Sequence, residues 1–228
     1  MIRILLIFSL FIVTTASAQK EVKLKKKDRK RDIEMITTEG TIVLRLSDST
    51  PLHRDNFLRL VKSKYYDSVL FHRVIKNFMI QGGDPNSKQA IAGQALGNGG
   101  PDYKIPAEFR TTLFHKKGML AAARDNNPEK ASSGSQFYIT QGKVFTDAGL
   151  DSVETFRLNG RKIPAYQREV YKTLGGVPHL DQNYTVFGEV VKGLNVVDSI
   201  AAQPTSKTPP DRPEKDIRII KARLIKRR

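Results

Sequence analysis

The 228-residue chain contains no cysteine, and that absence excludes several chemistries together. There is no thiolate nucleophile, disulfide framework, iron–sulfur cluster or cysteine-ligated zinc. Histidine is sparse too. His53, His72, His115 and His179 are widely separated, with no HExxH pattern or carboxylate pairing, so no metal is expected. Gly82-Gly83 and Gly97-Asn98-Gly99-Gly100 lack Walker or dinucleotide spacing and read as turns, and no cofactor is expected. Acidic residues are the minority, 23 against 39 Lys+Arg, leaving +16, a charge that attracts phosphate or acidic membrane surfaces over long range. What remains is ordinary for a globular chain, with 39% hydrophobic and 27% charged residues. One large domain, or a domain with an insertion, can bury a core at this size without covalent staples.

Long apolar runs are absent except at the start. Residues 1–18 read as a signal peptide: Arg3, then the apolar stretch 4–13, then the small-x-small cleavage pattern Ala16-Ser17-Ala18. At ~1.5 Å per residue that stretch covers only about half of a hydrocarbon core, too little for an anchor. The mature protein is expected to begin at Gln19, to carry no integral membrane segment, and to be exported to a periplasm or secreted. No cysteine follows the cleavage site, which excludes a lipid-modified N-terminus. An oxidising compartment permits disulfides without requiring them.

Residues 19–31 follow as a basic leader. Positions 20–31 hold eight basic residues and two acids without a useful apolar period, and are expected to be solvated and flexible. A nucleic-acid arm is the sharper alternative. The run offers no aromatic ring for stacking, however, and no specific nucleic-acid partner is expected.

The main domain is read over residues 32–228, where the pattern becomes period two. Ile33 and Met35, then Ile42, Leu44 and Leu46, alternate with polar residues around Thr38-Glu39-Gly40, which predicts an antiparallel hairpin. Thr50-Pro51 reads as an N-cap with proline at the first helical position, and Phe57, Leu60 and Val61 give that helix an inward stripe. Short apolar runs at 69–75, 78–81, 118–123, 136–140 and 186–191 are cut by glycine and proline. They favour a barrel or sandwich over an alternating α/β design. A second helix is predicted over 194–202 and a final strand over 217–225. The stretch 145–172 is polar and only loosely periodic. It reads as a partly helical insertion on the rim, with no legible role.

Three blocks narrow the choice. They are Phe71-His72-Arg73-Val74-Ile75-Lys76-Asn77-Phe78-Met79-Ile80-Gln81-Gly82-Gly83-Asp84, then Gly134-Ser135-Gln136-Phe137-Tyr138-Ile139-Thr140, then His179-Leu180-Asp181-Gln182-Asn183-Tyr184-Thr185-Val186-Phe187-Gly188. In this order they closely resemble the cyclophilin family of peptidylprolyl cis–trans isomerases. The resemblance runs from near Ile33 to near Ile225 and leaves out the leader and the insertion. It implies a mostly β fold, a closed eight-stranded antiparallel barrel capped by two α-helices. That agrees with the strands and the two helices read from residue pattern. It also implies a cofactor-independent enzyme acting on proline-containing polypeptides; a monomer is expected.

Such chemistry needs no nucleophile. An X–Pro bond turns slowly because twisting it sacrifices amide resonance. The catalyst must hold the twisted amide better than the planar one, and ~10⁵-fold acceleration needs roughly 7 kcal/mol of that preference. By resemblance, Phe78, Met79, Tyr138 and Leu180 line a dry pocket for the proline ring. Arg73 matches the catalytic arginine, whose always-charged planar fork suits a donor aimed at the prolyl nitrogen. Gln81 matches the glutamine that orients this arginine and the substrate carbonyl. Ala123 and Arg124 match the strand edge that pairs with substrate backbone, although many members carry asparagine at the second position. Gln136 matches a substrate-contacting glutamine, His72 the neighbour of the arginine, and Gly97 a glycine flanking the groove. His179 stands where many members have tryptophan, Tyr184 where they have a pocket histidine, and Tyr138 replaces the common phenylalanine with a polar-tipped ring. These departures keep the arginine and the apolar lining, and imply weak cyclosporin binding.

Read singly, Phe78, Met79 and Tyr138 are core residues and Arg73 a surface arginine; only the ordered signature assigns them otherwise. The expected function is isomerisation of X–Pro bonds in exported proteins as they fold. The alternative from another class is a proline-segment binding module or holdase with incidental turnover. Arg73 and Gln81 favour catalysis, because a pure binder needs no donor at a twisted nitrogen. A nucleic-acid or membrane-surface protein rests on charge alone, and predicts a steep salt dependence that turnover of a neutral peptide lacks.

Overall fold

Alternation of buried and half-exposed residues starts the fold. In the computed structural model, which describes residues 22–227, β1 (Arg31–Thr37) and β2 (Gly40–Leu46) form the expected hairpin, with Ile33 opposite Leu44 and Met35 opposite Ile42. All four are buried. The expected signal peptide and the expected mature start at Gln19 lie outside the described residues. At the turn, Thr37 Oγ1 donates to the Gly40 carbonyl at 2.7 Å and accepts from the Glu39 N–H at 3.1 Å. Gly40 has φ +133°, and a Cβ there would lie 2.9 Å from Val196, so both backbone and packing ask for glycine.

Helix α1 (Pro51–Lys62) follows, with Thr50 at the N-cap position as expected. The Thr50 hydroxyl does not cap it. Instead the Glu108 carboxylate, 56 residues from Leu52, accepts from the Leu52 and His53 N–H groups at 3.2 and 3.0 Å. A distant anion thus satisfies the free donors at the positive end of the helix.

The remaining elements are β3 (Arg73–Ile75), β4 (Met79–Gly82), β5 (Lys104–Ile105), β6 (Met119–Ala122), β7 (Ser132–Ser133) and β8 (Phe137–Thr140). Next come α2 (Asp147–Phe156), α3 (Ala165–Thr173), β9 (Val186–Lys192), α4 (Leu194–Ala201), β10 (Thr205–Lys207), β11 (Pro210–Pro213) and β12 (Ile219–Lys226). The main sheet has eight antiparallel strands in the order β12-β1-β2-β9-β6-β8-β4-β3. Its inner face buries Ile33, Ile42, Leu44, Ile80, Leu120 and Ile139 against Phe57, Leu58 and Val61 of α1 and Val197 and Ile200 of α4. Each such side chain contributes roughly 1.5–3 kcal/mol on burial.

The eight expected antiparallel strands are present, but among the described residues no strand ladder joins the end strands β3 and β12 into a closed barrel. Beside them the seam is crossed by a bridge between Leu70 and Arg218, by the Ser68 and Phe71 N–H groups donating to the Ile219 and Ile217 carbonyls, and by the Ile219 N–H donating to the Val69 carbonyl. Strand β3 has only three residues, and the small β10–β11 hairpin packs beside it. The two capping helices are α1 and α4, and two further α-helices belong to the insertion.

The insertion folds on its own small core. Leu150, Ile163, Tyr171 and Phe114 cluster together, and buried Glu154 accepts from Lys162, Arg168 and the Ile163 N–H. The Lys162 hydrogen bond leads in holding this carboxyl at about 2. The two stems meet where Gly176 N–H donates to the Lys143 carbonyl at 3.0 Å. A Cβ on Gly142 would lie 2.4 Å from Gly176, so only two glycines allow the stems to close this tightly.

The leader also differs from expectation. Residues Lys26–Lys30 form a 3-10 turn docked on α1. Asp28 is buried and accepts from Lys62 Nζ at 2.8 Å, while Arg29 pairs with Asp55 at 2.7 Å. The flexible leader is therefore corrected from Lys26 onward: one acid within a basic run finds a lysine on the helix and fixes the turn.

Candidate active site

Strand register builds the site. Arg73 lies opposite Gln81, and Tyr138 lies between Gln81 on one side and Ala121 on the other. These four residues form a row across β3, β4, β8 and β6 on the outer face, because successive residues of a strand point to opposite faces. Met79, Met119, Ala121, Ala123, Tyr138 and Leu180 gather there into a second apolar cluster, with Phe78 and Tyr184 packed against it.

A cavity of about 320 Å³ opens in this cluster, within the ~300–1,000 Å³ range of small-ligand sites. It brings together every residue singled out in the sequence except Gln136 and His179. Arg73 and Gln81 stand at one side, and Phe78, Met79, Tyr138 and Leu180 supply the apolar lining. His179 stacks on Phe78 from behind, with ring centroids 5.9 Å apart and planes 15° from parallel. Gln136 lines an adjoining cavity of about 450 Å³ with Gly97 and Arg124. Its amide donates to the Gly97 and Gly99 carbonyls at 2.8 and 2.7 Å, so it braces the glycine loop.

Four residues depart from expectation in their contacts. Gln81 Nε2 donates to Gln136 Oε1 at 3.1 Å, and the charged partner of Arg73 is Asp211, whose Oδ2 accepts from Arg73 Nε at 3.3 Å. Ala123 donates its N–H to the Gln136 carbonyl at 3.0 Å, so it forms pocket wall without a free N–H for a peptide. Arg124 is held on the rim: its Nε donates to the Asn183 carbonyl at 3.0 Å, and the guanidinium lies 4.7 Å from the Tyr184 ring centroid.

Burial sets the electrostatics. The imidazoles of His72 and His179 are pushed down to about 4 by burial, and neither nitrogen of His72 has a hydrogen-bond partner. Burial also pushes the Tyr138 hydroxyl well above its usual range. Arg73 thus stands beside the neutral His72 ring, with Asp211 as its charged partner and its own side chain 44% exposed.

Sequence reasoning missed the wall supplied by Pro209, Pro210 and Arg212, and with it Asp211. The signal was the proline-dense stretch Thr208-Pro209-Pro210-Asp211, a turn pattern between the last helix and the last strand. Among the described residues no group of three or more His, Asp or Glu could hold a metal ion, and no helix is long and apolar enough to cross a membrane.

Comparison with a solved structure gives the class of fold. A cyclophilin type peptidyl-prolyl cis-trans isomerase from Cryptosporidium parvum matches with a TM-score of 0.64 at 24% identity, over 87% of this chain and 99% of that one. Sequence comparison then fixes the family: the model described as cyclophilin type peptidyl-prolyl cis-trans isomerase/CLD matches residues 32–224, and the chain belongs to that family. A Staphylococcus aureus protein named as a peptidyl-prolyl cis-trans isomerase is 32% identical, covering 86% of this chain and 93% of its own. A Rhizopus delemar protein named peptidyl-prolyl cis-trans isomerase-like 2 is 35% identical over 88% of this chain, which spans only 30% of that longer relative.

Proposed function

We propose that this cyclophilin-type isomerase is exported and turns X–Pro bonds in proteins that are folding after translocation, with Arg73 as the donor to the prolyl nitrogen. The observation that carries the reading is the meeting of the Arg73 side chain with the apolar lining of Phe78, Met79, Tyr138 and Leu180 around one open cavity. A proline ring seated among those side chains leaves its amide beside the guanidinium. As the bond twists, conjugation is lost and the nitrogen lone pair becomes an acceptor, so the hydrogen bond is stronger midway through rotation than at either end. Gln81 and the Gln136-braced glycine loop hold the flanking chain, His72, Arg124 and Tyr184 shape the rim, and His179 backs Phe78. Exchange NMR on a short X–Pro peptide tests the mechanism: wild type accelerates interconversion, and Arg73→Ala does so by orders of magnitude less. Equal acceleration by both overturns the role of Arg73. Export is tested by sequencing the N-terminus of the protein from cells; Gln19 supports it, and an intact Met1 refutes it.

A further inference from the structure

A buried row of side chains links the insertion to the proline pocket. Tyr171 on α3 donates from its hydroxyl to Asp181 Oδ2 at 2.6 Å. Asp181 Oδ1 accepts from the backbone N–H and from Nδ1 of His115, both at 2.8 Å. His115 Nε2 in turn meets the Tyr138 hydroxyl at 2.8 Å. All four residues are buried. A carboxylate only accepts, so Nδ1 carries a proton, and the tyrosine hydroxyl at the far end completes the row.

The row has two ends in the pocket. Tyr138 lines the cavity, and Asp181 directly follows Leu180, which lines it from the other side. Arg161 of the insertion also donates to the Asp181 carbonyl at 2.8 Å, so two insertion residues grip the turn that carries Leu180. The Tyr171 ring is itself wedged edge-on against Phe114, with centroids 5.5 Å apart. A hydroxyl placed on a pocket ring in apolar surroundings needs a partner, and this chain supplies one whose own support ends in the insertion.

We propose that Tyr171 is a positioning residue for the isomerase, acting through Asp181 and His115 on the Tyr138 ring, so that the insertion sets how tightly the prolyl ring is gripped. The proposal rests on the reading of this cavity as the proline pocket. Four full-length proteins test it in steady-state isomerisation of a short X–Pro peptide: wild type, Tyr171→Phe, Tyr138→Phe and the double variant. Tyr171→Phe is expected to raise KM about fivefold with kcat within about twofold, and to have no further effect once Tyr138→Phe has cut the row. Glu154→Gln, which loosens the insertion by removing the carboxylate that pairs with Lys162 and Arg168, neither of them in the row, is expected to lower Tm and leave KM unchanged. The proposal is overturned if the two Phe substitutions multiply in the double variant. It is also overturned if Tyr171→Phe moves only Tm, or if Glu154→Gln raises KM as much. A wild-type protein without turnover counts against the isomerase reading of the pocket instead. Active wild type with multiplying factors counts against the row alone.

Discussion

Strands β4, β6 and β8 serve two clusters with alternate residues. Ile80, Leu120 and Ile139 point inward and are completely buried beneath α1 and α4. Their immediate neighbours Met79, Gln81, Ala121 and Tyr138 point outward, where turns and a hairpin cover the sheet and leave a cavity. The same hydrogen-bonded ladder supports both faces, yet one is sealed by apolar packing and the other keeps polar groups beside open space. Stability and turnover are therefore assigned to opposite sides of one sheet, one residue apart.

The sharpest way to break that comparison is on the outer face. Arg73→Ala removes the only side chain in the row across these strands that is always charged, and its side chain is 44% exposed. It is expected to lower kcat/KM by ~10²–10³, the usual cost of one well-aimed donor, with Tm nearly unchanged. Ile139→Ala tests the inner face. It should cost about 2–5 kcal/mol in urea unfolding through lost burial and a cavity, while the folded fraction turns over at the wild-type rate. A large fall in activity per folded molecule from Ile139→Ala would show that the two faces are not independent.

What could be read from the sequence follows the same division. The hairpin, α1, α4 and the outward row are local patterns: period two around Gly40, proline after Thr50, and a continuous signature from Phe71 to Asp84. What escaped are contacts between distant segments. Glu108 caps α1 in place of Thr50, Asp28 docks the leader on Lys62, and the β10–β11 hairpin reaches across to Arg73. No spacing rule links such residues, since the fold alone brings them together. The insertion was recognised as helical because its composition changes. Its tie to the pocket runs through single side chains, Tyr171 and Arg161, that look like any others on a polar helix and loop.

Asp211→Asn sharpens the comparison on a smaller scale. The pair with Arg73 is half exposed, and such pairs are worth ~0.2–1 kcal/mol. Asn keeps an acceptor and tolerates the φ of 62° at this position. Loss of the charge is expected to leave Tm alone and to lower kcat/KM by about two- to fivefold, because Nε is then held less firmly while the guanidinium awaits the peptide. A gain in kcat/KM would instead mean that Asp211 competes with substrate for the arginine.

The smallest expected effect is on turnover across neutral pH. Burial holds His72 and His179 at about 4, so both rings are neutral from about pH 6 to 8 and kcat/KM should be flat. Stability should not be flat below that range. His72 has an ordinary value of 6.5 when unfolded and about 4 when folded, so on acidification the unfolded chain binds a proton that the folded chain refuses. The stability associated with the neutral ring is complete above 6.5 and is lost as pH falls toward about 4. A His72→Gln variant should lack this part of the acid sensitivity, so its Tm should fall less steeply than that of the wild type across the same window. Parallel Tm curves would mean that this ring takes up a proton in the folded protein as readily as in the unfolded chain, which would make it a further cation beside Arg73 and Arg212 once the pH falls below 6.5.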